Sequence, residues 1–280
     1  MTEYALPGEG VFPEGIAYHA DSDSVYVTGA ASGALYRIDL ASGDAEVVLE
    51  VGTRSPFGTL GLAVDGNDLW IAGGNTGEIL RMNMEAAEIE ATYATPEVEA
   101  TLINDLIVAP NGDVYVTDSF RPTLFKIAAG SDEVEAWRHF GGTEIEYGEG
   151  VNLNGIVVSD DGAYLVVVHM TEGALYRIHV ASRAVHQIDL GGDTVPGGDG
   201  LALDGTTLYV VQNGPDEVSV VELADDFASG TLVRILEDDR LADAATGALA
   251  GSDLLVTNAQ FSAMQDEPTL PFTVTVVLTE

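Results

Sequence analysis

Short apolar segments follow Asp-Gly or Asn-Gly pairs at regular places along the chain. Four copies read VDGNDLWIAG, APNGDVYVTD, SDDGAYLVVV and LDGTTLYVVQ. Two further copies, ADSDSVYVTG and AGSDLLVTN, have Asp/Ser and Gly-Ser at the turn. Asp-Gly and Asn-Gly between apolar runs favour a two-residue hairpin, so the pattern predicts a series of antiparallel strand pairs.

Each hairpin belongs to a longer repeat. One apolar strand precedes the turn, and a second turn and a third strand follow it, as in ALYRID, EILRMN and TLFKIA. The aligned first strands start 44 to 50 residues apart, at Glu14, Leu60, Asn104, Asn154, Asp199 and about Ala245. Units of three or four strands at this period are typical of propeller blades. The sequence therefore predicts an all-β protein in which residues 1–280 form one six-bladed β-propeller domain.

Two segments lie outside the simple repeat. The C-terminal run PFTVTVVLT reads as a strand, and we expect it to pair with residues near Tyr4 and close the ring. The segment 129–150 falls within the longest repeat, so we expect it to include a loop over one face.

The first residues of the innermost strands should converge at one mouth of the central channel. In four of the six repeats that residue has a side-chain oxygen, namely Glu14, Asn104, Asn154 and Asp199. Carboxylates and amide carbonyls are hard donors that suit Ca²⁺, with water or substrate completing about 6–8 oxygens. Zinc or copper would prefer imidazole or thiolate ligands. A wet channel mouth also tolerates polar residues, but four matching positions favour one divalent cation, Ca²⁺.

The last residues of the second strands should reach the same mouth. Four of them are polar in otherwise apolar runs, and they are candidates for the pocket wall or for support of the metal ligands: Asp118, His169, Gln212 and Asn258. A structural histidine is an equal alternative for His169, and a hydrogen bond within the blade, for example to Ser119, is the simpler one for Asp118. Asp105, beside Asn104, could support the ring or accept a main-chain hydrogen bond.

Charge restricts the partners of this protein. The chain has 46 acidic and 10 basic residues, with a formal net charge of −36. Such a surface repels nucleic acid and anionic lipid, so we expect neither nucleic acid nor a membrane as partner. Scattered acidic residues with little lysine suit a salt-rich cytoplasm, although an ordinary acidic protein is an alternative. We expect a cytoplasmic monomer or small homo-oligomer that acts on a small molecule.

Several chemistries are excluded because the sequence lacks the residues or motifs that they require. The sequence has no cysteine, so disulfides, thiolate metal sites and cysteine nucleophiles are excluded. It contains no G-x-S-x-G, phosphate-binding loop or H-E-x-x-H motif. The segment MTEYALPGEGVFPEG lacks the features of a secretory signal, and no apolar run approaches the roughly 18 residues of a membrane helix.

Four blade motifs are similar to those of a known family. PEGIAY, NDLIVAPNGDVYVTD, NGIVVSDDGAYLVVV and GDGLALDGTTLYVV resemble segments of the SMP-30/gluconolactonase/luciferin-regenerating family of calcium-dependent propeller hydrolases. The diisopropyl-fluorophosphatase branch lies nearby. The resemblance covers essentially the whole chain. It implies that Glu14, Asn154 and Asp199 are metal ligands and that Asn104 contacts metal, substrate or water.

The resemblance also implies an activity. It favours a metal-dependent lactonase or related esterase, or a phosphotriesterase-like enzyme, with Asp199 and Asn104 as catalytic residues. Asp199 could be a general base or a nucleophile, but metal ligation lowers its basicity, so both roles stay open. Leu102 replaces an arginine of the sugar-lactone members, which favours a more apolar lactone or ester. The alternatives are a non-catalytic propeller with a structural calcium ion, and a strictosidine-synthase-like propeller with different chemistry.

Overall fold

The protein is a six-bladed β-propeller, as the repeat predicts. The computed structural model describes residues 2–96 and 100–279. Within these ranges 24 strands form six four-stranded antiparallel sheets, and the only helical segments are single 3₁₀ turns at Ala20–Ser22 and Phe261–Ala263. No helix among the described residues is long and apolar enough to cross a membrane.

The first strand, β1 (Glu3–Ala5), precedes the blades, and five blades then follow in chain order, each built from four consecutive strands. Blade 1 contains β2 (Pro13–His19), β3 (Ser24–Gly29), β4 (Ala34–Asp39) and β5 (Ala45–Leu49). Blade 2 contains β6 (Leu62–Asp65), β7 (Asp68–Ala72), β8 (Glu78–Asn83) and β9 (Glu88–Ala94). Blade 3 contains β10 (Ile103–Val108), β11 (Val114–Asp118), β12 (Thr123–Ile127) and β13 (Val134–His139).

The remaining blades follow the same pattern. Blade 4 contains β14 (Leu153–Val158), β15 (Tyr164–His169), β16 (Ala174–His179) and β17 (Val185–Gln187). Blade 5 contains β18 (Gly198–Asp204), β19 (Thr207–Gln212), β20 (Glu217–Leu223) and β21 (Gly230–Glu237). Blade 6 contains β22 (Ala244–Ala250), β23 (Asp253–Asn258) and β24 (Thr273–Leu278). The first strand of each blade contacts the first strands of its neighbours, so these six strands surround the channel.

The two ends of the chain close the ring. Strand β1 is the outermost strand of blade 6 and pairs antiparallel with β24, with Tyr4 opposite Val274. This confirms the predicted pairing of the C-terminal strand with residues near Tyr4. The ring of blades is therefore completed by a sheet that contains both the first and the last described strand.

The apolar core lies between the blades and follows from strand alternation. In β7, Leu69 and Ile71 pack with residues of blade 1, whereas Trp70 and Ala72 pack with residues of blade 3. Successive side chains of a strand point to opposite faces, so one apolar strand contributes to two adjacent interfaces. This explains why the second strands are almost continuously apolar.

Two of the four predicted two-residue hairpins are confirmed. Two-residue connections join β6 to β7 and β18 to β19, at residues 66–67 and 205–206. The prediction is wrong for blades 3 and 4, where five residues connect the strands. There the glycine N–H donates to a residue three positions earlier, as in Gly112 to the Ala109 oxygen at 2.8 Å. The turn therefore closes within the connection, and Pro110 favours it by fixing φ at its second position.

The segment 129–150 combines a strand and a loop. Its first part contains β13, because Val134 and the buried Trp137 pack on the blade. Residues 140–152 form the connection to β14. The Tyr147 hydroxyl of this connection donates a 2.7 Å hydrogen bond to the main-chain oxygen of Asp118. This contact holds the loop at the end of blade 3 where the second strand ends.

Candidate metal centre

β-Bulges place the candidate metal ligands at one mouth of the channel. In five blades the pairing between the first and second strands shifts immediately after its first residue pair. The residues inside the shifts are Glu14–Gly15, Asn104–Asp105, Asn154–Gly155, Asp199–Gly200 and Ala245–Thr246. A bulge re-aims side chains, so it can turn residues of an inner strand toward the channel.

Blade 2 has neither the bulge nor a side-chain oxygen at the aligned position, and Ala245 of blade 6 also lacks a side-chain oxygen. Strand β6 begins at Leu62, two residues beyond the aligned Leu60, and its register with β7 is continuous from Leu62 opposite Ile71. In the other five blades the first strand begins one residue before the aligned position. The sequence repeat thus located the mouth of the channel to within two residues in every blade.

We call the four residues Glu14, Asn104, Asn154 and Asp199 the polar ring. All four are buried, with 4–5 % of each residue exposed. The carboxyl groups of Glu14 and Asp199 are close enough to interact electrostatically, and the Asn154 side chain lies close enough to Asp199 to lower the pKa of its carboxyl group. The Asn154 amide nitrogen also lies 3.6 Å from the sulfur of Met170. The structure therefore brings Glu14, Asn154 and Asp199 together.

Two oxygens of the ring have no hydrogen-bond partner. Glu14 Oε2 and Asn104 Oδ1 are buried and unpaired among the described residues. The Asn104 amide nitrogen donates a 2.8 Å hydrogen bond to Ser119 Oγ, whose hydroxyl donates in turn to the Leu153 oxygen. Leaving a buried oxygen without a partner is unfavourable, so these two atoms are available to bind a cation.

Burial also changes the acidity of the ring. It raises the pKa of Glu14 well above its ordinary value, and repulsion from Asp199 and Asp105 adds to this effect. Burial and repulsion from Asp105 likewise raise the pKa of Asp199, whereas the nearby Asn154 side chain lowers it. A bound cation would reverse both shifts, because it stabilises the charged carboxylates.

The donor set fits one hard divalent cation. Among the described residues, no group of three or more His, Cys, Asp or Glu side chains could hold a metal ion. The ring instead offers two carboxyl groups and two amides, including the unpaired oxygens of Glu14 and Asn104. Oxygen donors of this kind suit Ca²⁺, whereas no imidazole is present among them for zinc.

Asp105 lies just below the ring. Its Oδ1 accepts a 2.9 Å hydrogen bond from its neighbour's N–H, at Leu106, and its Oδ2 accepts one of 3.1 Å from Ile156 in blade 4. Burial raises the pKa of Asp105 to about 7, although both N–H groups lower it. Asp105 thus accepts main-chain hydrogen bonds and also acts electrostatically on Glu14 and Asp199.

The four polar residues at the second-strand ends hold the loops that lead into the inner strands. The buried Asp118 accepts hydrogen bonds from Thr101 Oγ1 at 2.6 Å and from Leu102 N at 3.1 Å. It also forms a 2.6 Å ion pair with Arg121. All of these partners lie in two loops of blade 3. The Asp118 carboxyl group therefore holds these two loops in place through hydrogen bonds and an ion pair.

The corresponding residues of blades 4, 5 and 6 make similar contacts. His169 Nε2 lies 3.0 Å from the Glu146 oxygen, and its Nδ1 accepts from the Glu172 N–H at 3.3 Å. Gln212 Nε2 donates to the Pro196 oxygen at 2.9 Å, and Asn258 Oδ1 accepts from Ala242 N at 3.2 Å. Each residue ties its second strand to the loop that precedes the first strand of the same blade.

Three threonines, not identified in the sequence analysis, position the ring through its main chain. Thr28, Thr117 and Thr257 donate hydrogen bonds of 2.7–2.9 Å to the oxygens of Leu60, Asn154 and Glu14, each in the next blade. Their hydroxyls also accept an N–H from the inner strand of their own blade. The signal was present in the sequence, because VYVTG, VYVTD and LLVTN share threonine one residue before the strand end.

Neighbouring inner strands approach closely at the ring. A Cβ at Gly155 would lie 2.4 Å from the main-chain oxygen of Asp199 and 2.8 Å from the main-chain nitrogen of Leu201. Only glycine can occupy this position without moving the strand that carries Asp199. This explains why a glycine follows Asn154.

Several solved propellers are similar to this structure. Regucalcin from Agrobacterium tumefaciens, described as a calcium-binding protein, has a TM-score of 0.70 at 18% identity, over 100% of this chain and 98% of its own. A gluconolactonase from Xanthomonas campestris has a TM-score of 0.69 at 17% identity, over 99% and 89%. The allergen Mala s 1 from Malassezia sympodialis has a TM-score of 0.73 at 13% identity, over 98% and 95%. Identities this low establish the common fold alone.

The sequence itself carries the family relationship. No protein of curated function matches it. A family model described as the SMP-30/gluconolactonase/LRE-like region matches residues 12–235, which include all four polar ring residues. The match spans most of the chain and confirms the resemblance seen in the blade motifs. The chain therefore belongs to the SMP-30/gluconolactonase/LRE-like family.

Proposed function

We propose that this protein is a metal-dependent hydrolase of lactones or related esters, with one divalent cation, Ca²⁺, at the ring. The observation that carries the proposal is the pair of buried, unpaired oxygens on Glu14 and Asn104, together with the Asp199 carboxyl group, which interacts electrostatically with Glu14. Family membership and the similarity to a gluconolactonase support the reaction class.

Glu14, Asn154 and Asp199 would hold the cation, and Asn104 would contact either the cation or the substrate. When bound, a divalent cation supplies Lewis acidity to a substrate oxygen and lowers the pKa of a bound water. Ser119 fixes the Asn104 amide nitrogen, so the amide oxygen is oriented away from Ser119. This arrangement leaves the Asn104 oxygen available without a rotamer change.

Asp199 is our candidate catalytic residue. The nearby Asn154 side chain lowers the pKa of Asp199 and so favours its carboxylate form. As a general base, Asp199 would accept a proton from the water that attacks the substrate carbonyl carbon. As a nucleophile, it would attack that carbon itself, the acyl C–O bond would break with release of the alcohol oxygen, and water would then hydrolyse the acyl–Asp199 anhydride. Oxygen-18 incorporation into Asp199 during a single turnover in labelled water would identify Asp199 as the nucleophile.

A second candidate function is cation binding without turnover. The ring residues are only 4–5 % exposed, and main-chain bridges from neighbouring blades hold two of them. A buried cation in such a frame could stabilise the propeller. The calcium-binding description of regucalcin is compatible with this alternative.

The test is a pH-stat assay with γ- and δ-lactones, aryl esters and phosphotriesters, in calcium and in excess chelator. We expect hydrolysis that requires calcium and is abolished in Asp199→Ala, with an unchanged circular dichroism spectrum. Asp204→Asn, an exposed acidic residue on the same strand, is the matched control and should retain activity. Hydrolysis that survives both chelation and Asp199→Ala would refute the proposal. Calcium binding without hydrolysis of any substrate would favour the second function.

A further inference from the structure

We infer that the substrate carries an apolar acyl or alkyl group, held by four side chains around the channel mouth: Phe57, Leu102, Met170 and Phe261. We call these four residues the apolar rim. The inference rests on the proposed function for the reaction that follows binding. The binding itself can be measured without turnover.

The positions of the rim residues relative to the strand ends place the apolar rim at the same end of the propeller as the polar ring. Phe57 and Leu102 lie in the loops that lead into the first strands of blades 2 and 3. Met170 directly follows the second strand of blade 4, and Phe261 lies three residues beyond the second strand of blade 6. First strands begin, and second strands end, at the level of the ring. The Met170 sulfur also lies 3.6 Å from the amide nitrogen of Asn154.

Two aromatic rings of the rim meet above blade 1, the blade that supplies Glu14. The ring centroids of Phe57 and Phe261 are 6.4 Å apart at an interplanar angle of 43°. Both rings pack on a buried cluster that includes Ala30 and Leu60, although they come from blades 2 and 6. Leu102 packs on the same cluster. All four rim side chains are partly exposed, so they present apolar surface beside a polar centre.

The main chain holds the rim in place. Phe57 N–H donates a 2.6 Å hydrogen bond to the Ala30 oxygen, in a left-handed conformation with φ of 55°. The loop of Phe261 is closed by Gln260, which exchanges two hydrogen bonds of 2.7 and 2.9 Å with the main chain of Thr269. Apolar groups fixed before binding lose little conformational entropy on binding.

Charge at this face disfavours an anionic substrate. The described parts of the mouth loops carry three arginines, and each forms an ion pair with a carboxylate of the chain: Arg54 with Glu78, Arg121 with Asp118, and Arg240 with Asp238. The net charge of the chain is −36. A neutral ester or lactone with an apolar substituent matches these surroundings, whereas a polyhydroxylated or anionic substrate would leave the rim without a partner.

The experiment measures binding of non-hydrolysable 5-alkyl-2-pyrrolidinones, with methyl to octyl chains, to the calcium-loaded protein by calorimetry. We expect the affinity of the wild type to rise about three- to four-fold per methylene until the chain passes the rim. In Phe57→Ser and Phe261→Ser this dependence should become flat. Phe261→Leu should keep most of it, and so should the control Val233→Ser, which removes an apolar side chain that is 52% exposed on the outer strand β21.

The outcomes separate this inference from the proposed function. If the lactams bind with the chain-length dependence but no matching 5-alkyl lactone is hydrolysed, the proposed function fails and the apolar rim stands. If the lactones are hydrolysed at rates independent of chain length, the rim fails and the proposed function stands. Affinity that does not change with chain length in the wild type, or a dependence retained in both serine variants, also overturns the inference. Circular dichroism of each variant checks its fold, and Phe261→Leu gives the comparison if a serine variant unfolds.

Discussion

The Thr257 hydroxyl donates a 2.8 Å hydrogen bond to the main-chain oxygen of Glu14, which lies 243 positions earlier in the chain. The same hydroxyl accepts the N–H of Thr246 at 3.1 Å. Thr257 thereby joins blade 6 to blade 1 at the level of the candidate metal centre. A ligand of the candidate centre is thus positioned from the neighbouring blade through its main chain.

Thr257→Val should weaken calcium binding while preserving the fold. Valine has nearly the same shape, but it leaves the Glu14 oxygen and the Thr246 N–H without their partner. We expect the free energy of unfolding to fall by about 1–3 kcal/mol and the calcium affinity to fall roughly 10-fold, as for other residues that orient metal ligands. Denaturant unfolding and calcium calorimetry measure the two effects.

Thr28→Val is the matched control for this prediction. Thr28 forms the same kind of bridge, but it donates to the main-chain oxygen of Leu60, which is not a candidate ligand, and it accepts the N–H of Gly15, which follows Glu14. The variant should lose similar stability and lose less calcium affinity than Thr257→Val. Equal losses of affinity in Thr28→Val and Thr257→Val would show that the bridge acts through general stability alone.

Gly155→Ala should destabilise the propeller and disturb Asp199. The added methyl group would lie 2.4 Å from the main-chain oxygen of Asp199, so the two inner strands must separate. Overpacking of this kind typically lowers stability by about 1–3 kcal/mol. Gly10→Ala is the control, because a Cβ there has no neighbour within 4 Å. Thermal unfolding should detect the difference, and equal midpoints in the two variants would contradict the close approach.

The blade architecture could be predicted from the sequence because every blade repeats the same alternation of apolar runs and turn residues. The positions of Glu14, Asn104, Asn154 and Asp199 followed from the period alone. The hydrogen bonds around them could not be predicted, since they join different blades. Asp105 shows this limit, because its partner Ile156 lies 51 positions away and in another blade.

Local sequence was also insufficient at the ends of the second strands. Asp118, His169, Gln212 and Asn258 share a repeat position, and the sequence suggested a common place at the mouth. In the structure each of them binds the loop that precedes the first strand of its own blade. The side chain and the loop atom that it contacts differ from blade to blade. Side-chain partners of this kind depend on loop conformations that the repeat does not specify.

Asp118→Asn should affect stability much more than metal binding. The Asp118 side chain is fully buried and forms an ion pair with Arg121, while accepting several further hydrogen bonds. Removing one partner of a buried pair lowers stability by about 3–5 kcal/mol. Calcium affinity of the folded variant should match the wild type. A loss of calcium binding with unchanged stability would instead place Asp118 in the metal site.

Glu46→Gln provides the comparison for an exposed ion pair. Glu46 pairs with Arg37 at 3.0 Å, and its side chain is 64% exposed. Solvent screening limits such pairs to roughly 0–1 kcal/mol. The unfolding midpoint in denaturant should therefore hardly change in Glu46→Gln, in contrast to Asp118→Asn.

Calcium should stabilise the protein more at pH 8 than at pH 5. Burial raises the pKa of Glu14 and Asp199, so in the metal-free protein they keep protons that the unfolded chain releases above about pH 4. Stability of the metal-free protein therefore falls as pH rises toward the raised pKa values, and bound calcium removes this loss. Unfolding temperatures with calcium and with chelator should diverge as pH increases. The divergence should shrink in Glu14→Gln, and a difference that stays constant with pH would contradict the ring electrostatics.

The central claim is that Asn154 and the other ring residues hold one divalent cation. Calorimetric titration of calcium into chelator-stripped protein tests it most directly, for the wild type and for Asn154→Ala. High salt suppresses weak binding to the acidic surface, because the Debye length is only about 3 Å at 1 M. We predict a single saturable site in the wild type that is lost in Asn154→Ala. The absence of a site, or equal binding by the variant, would contradict the account and leave the ring as a polar channel mouth.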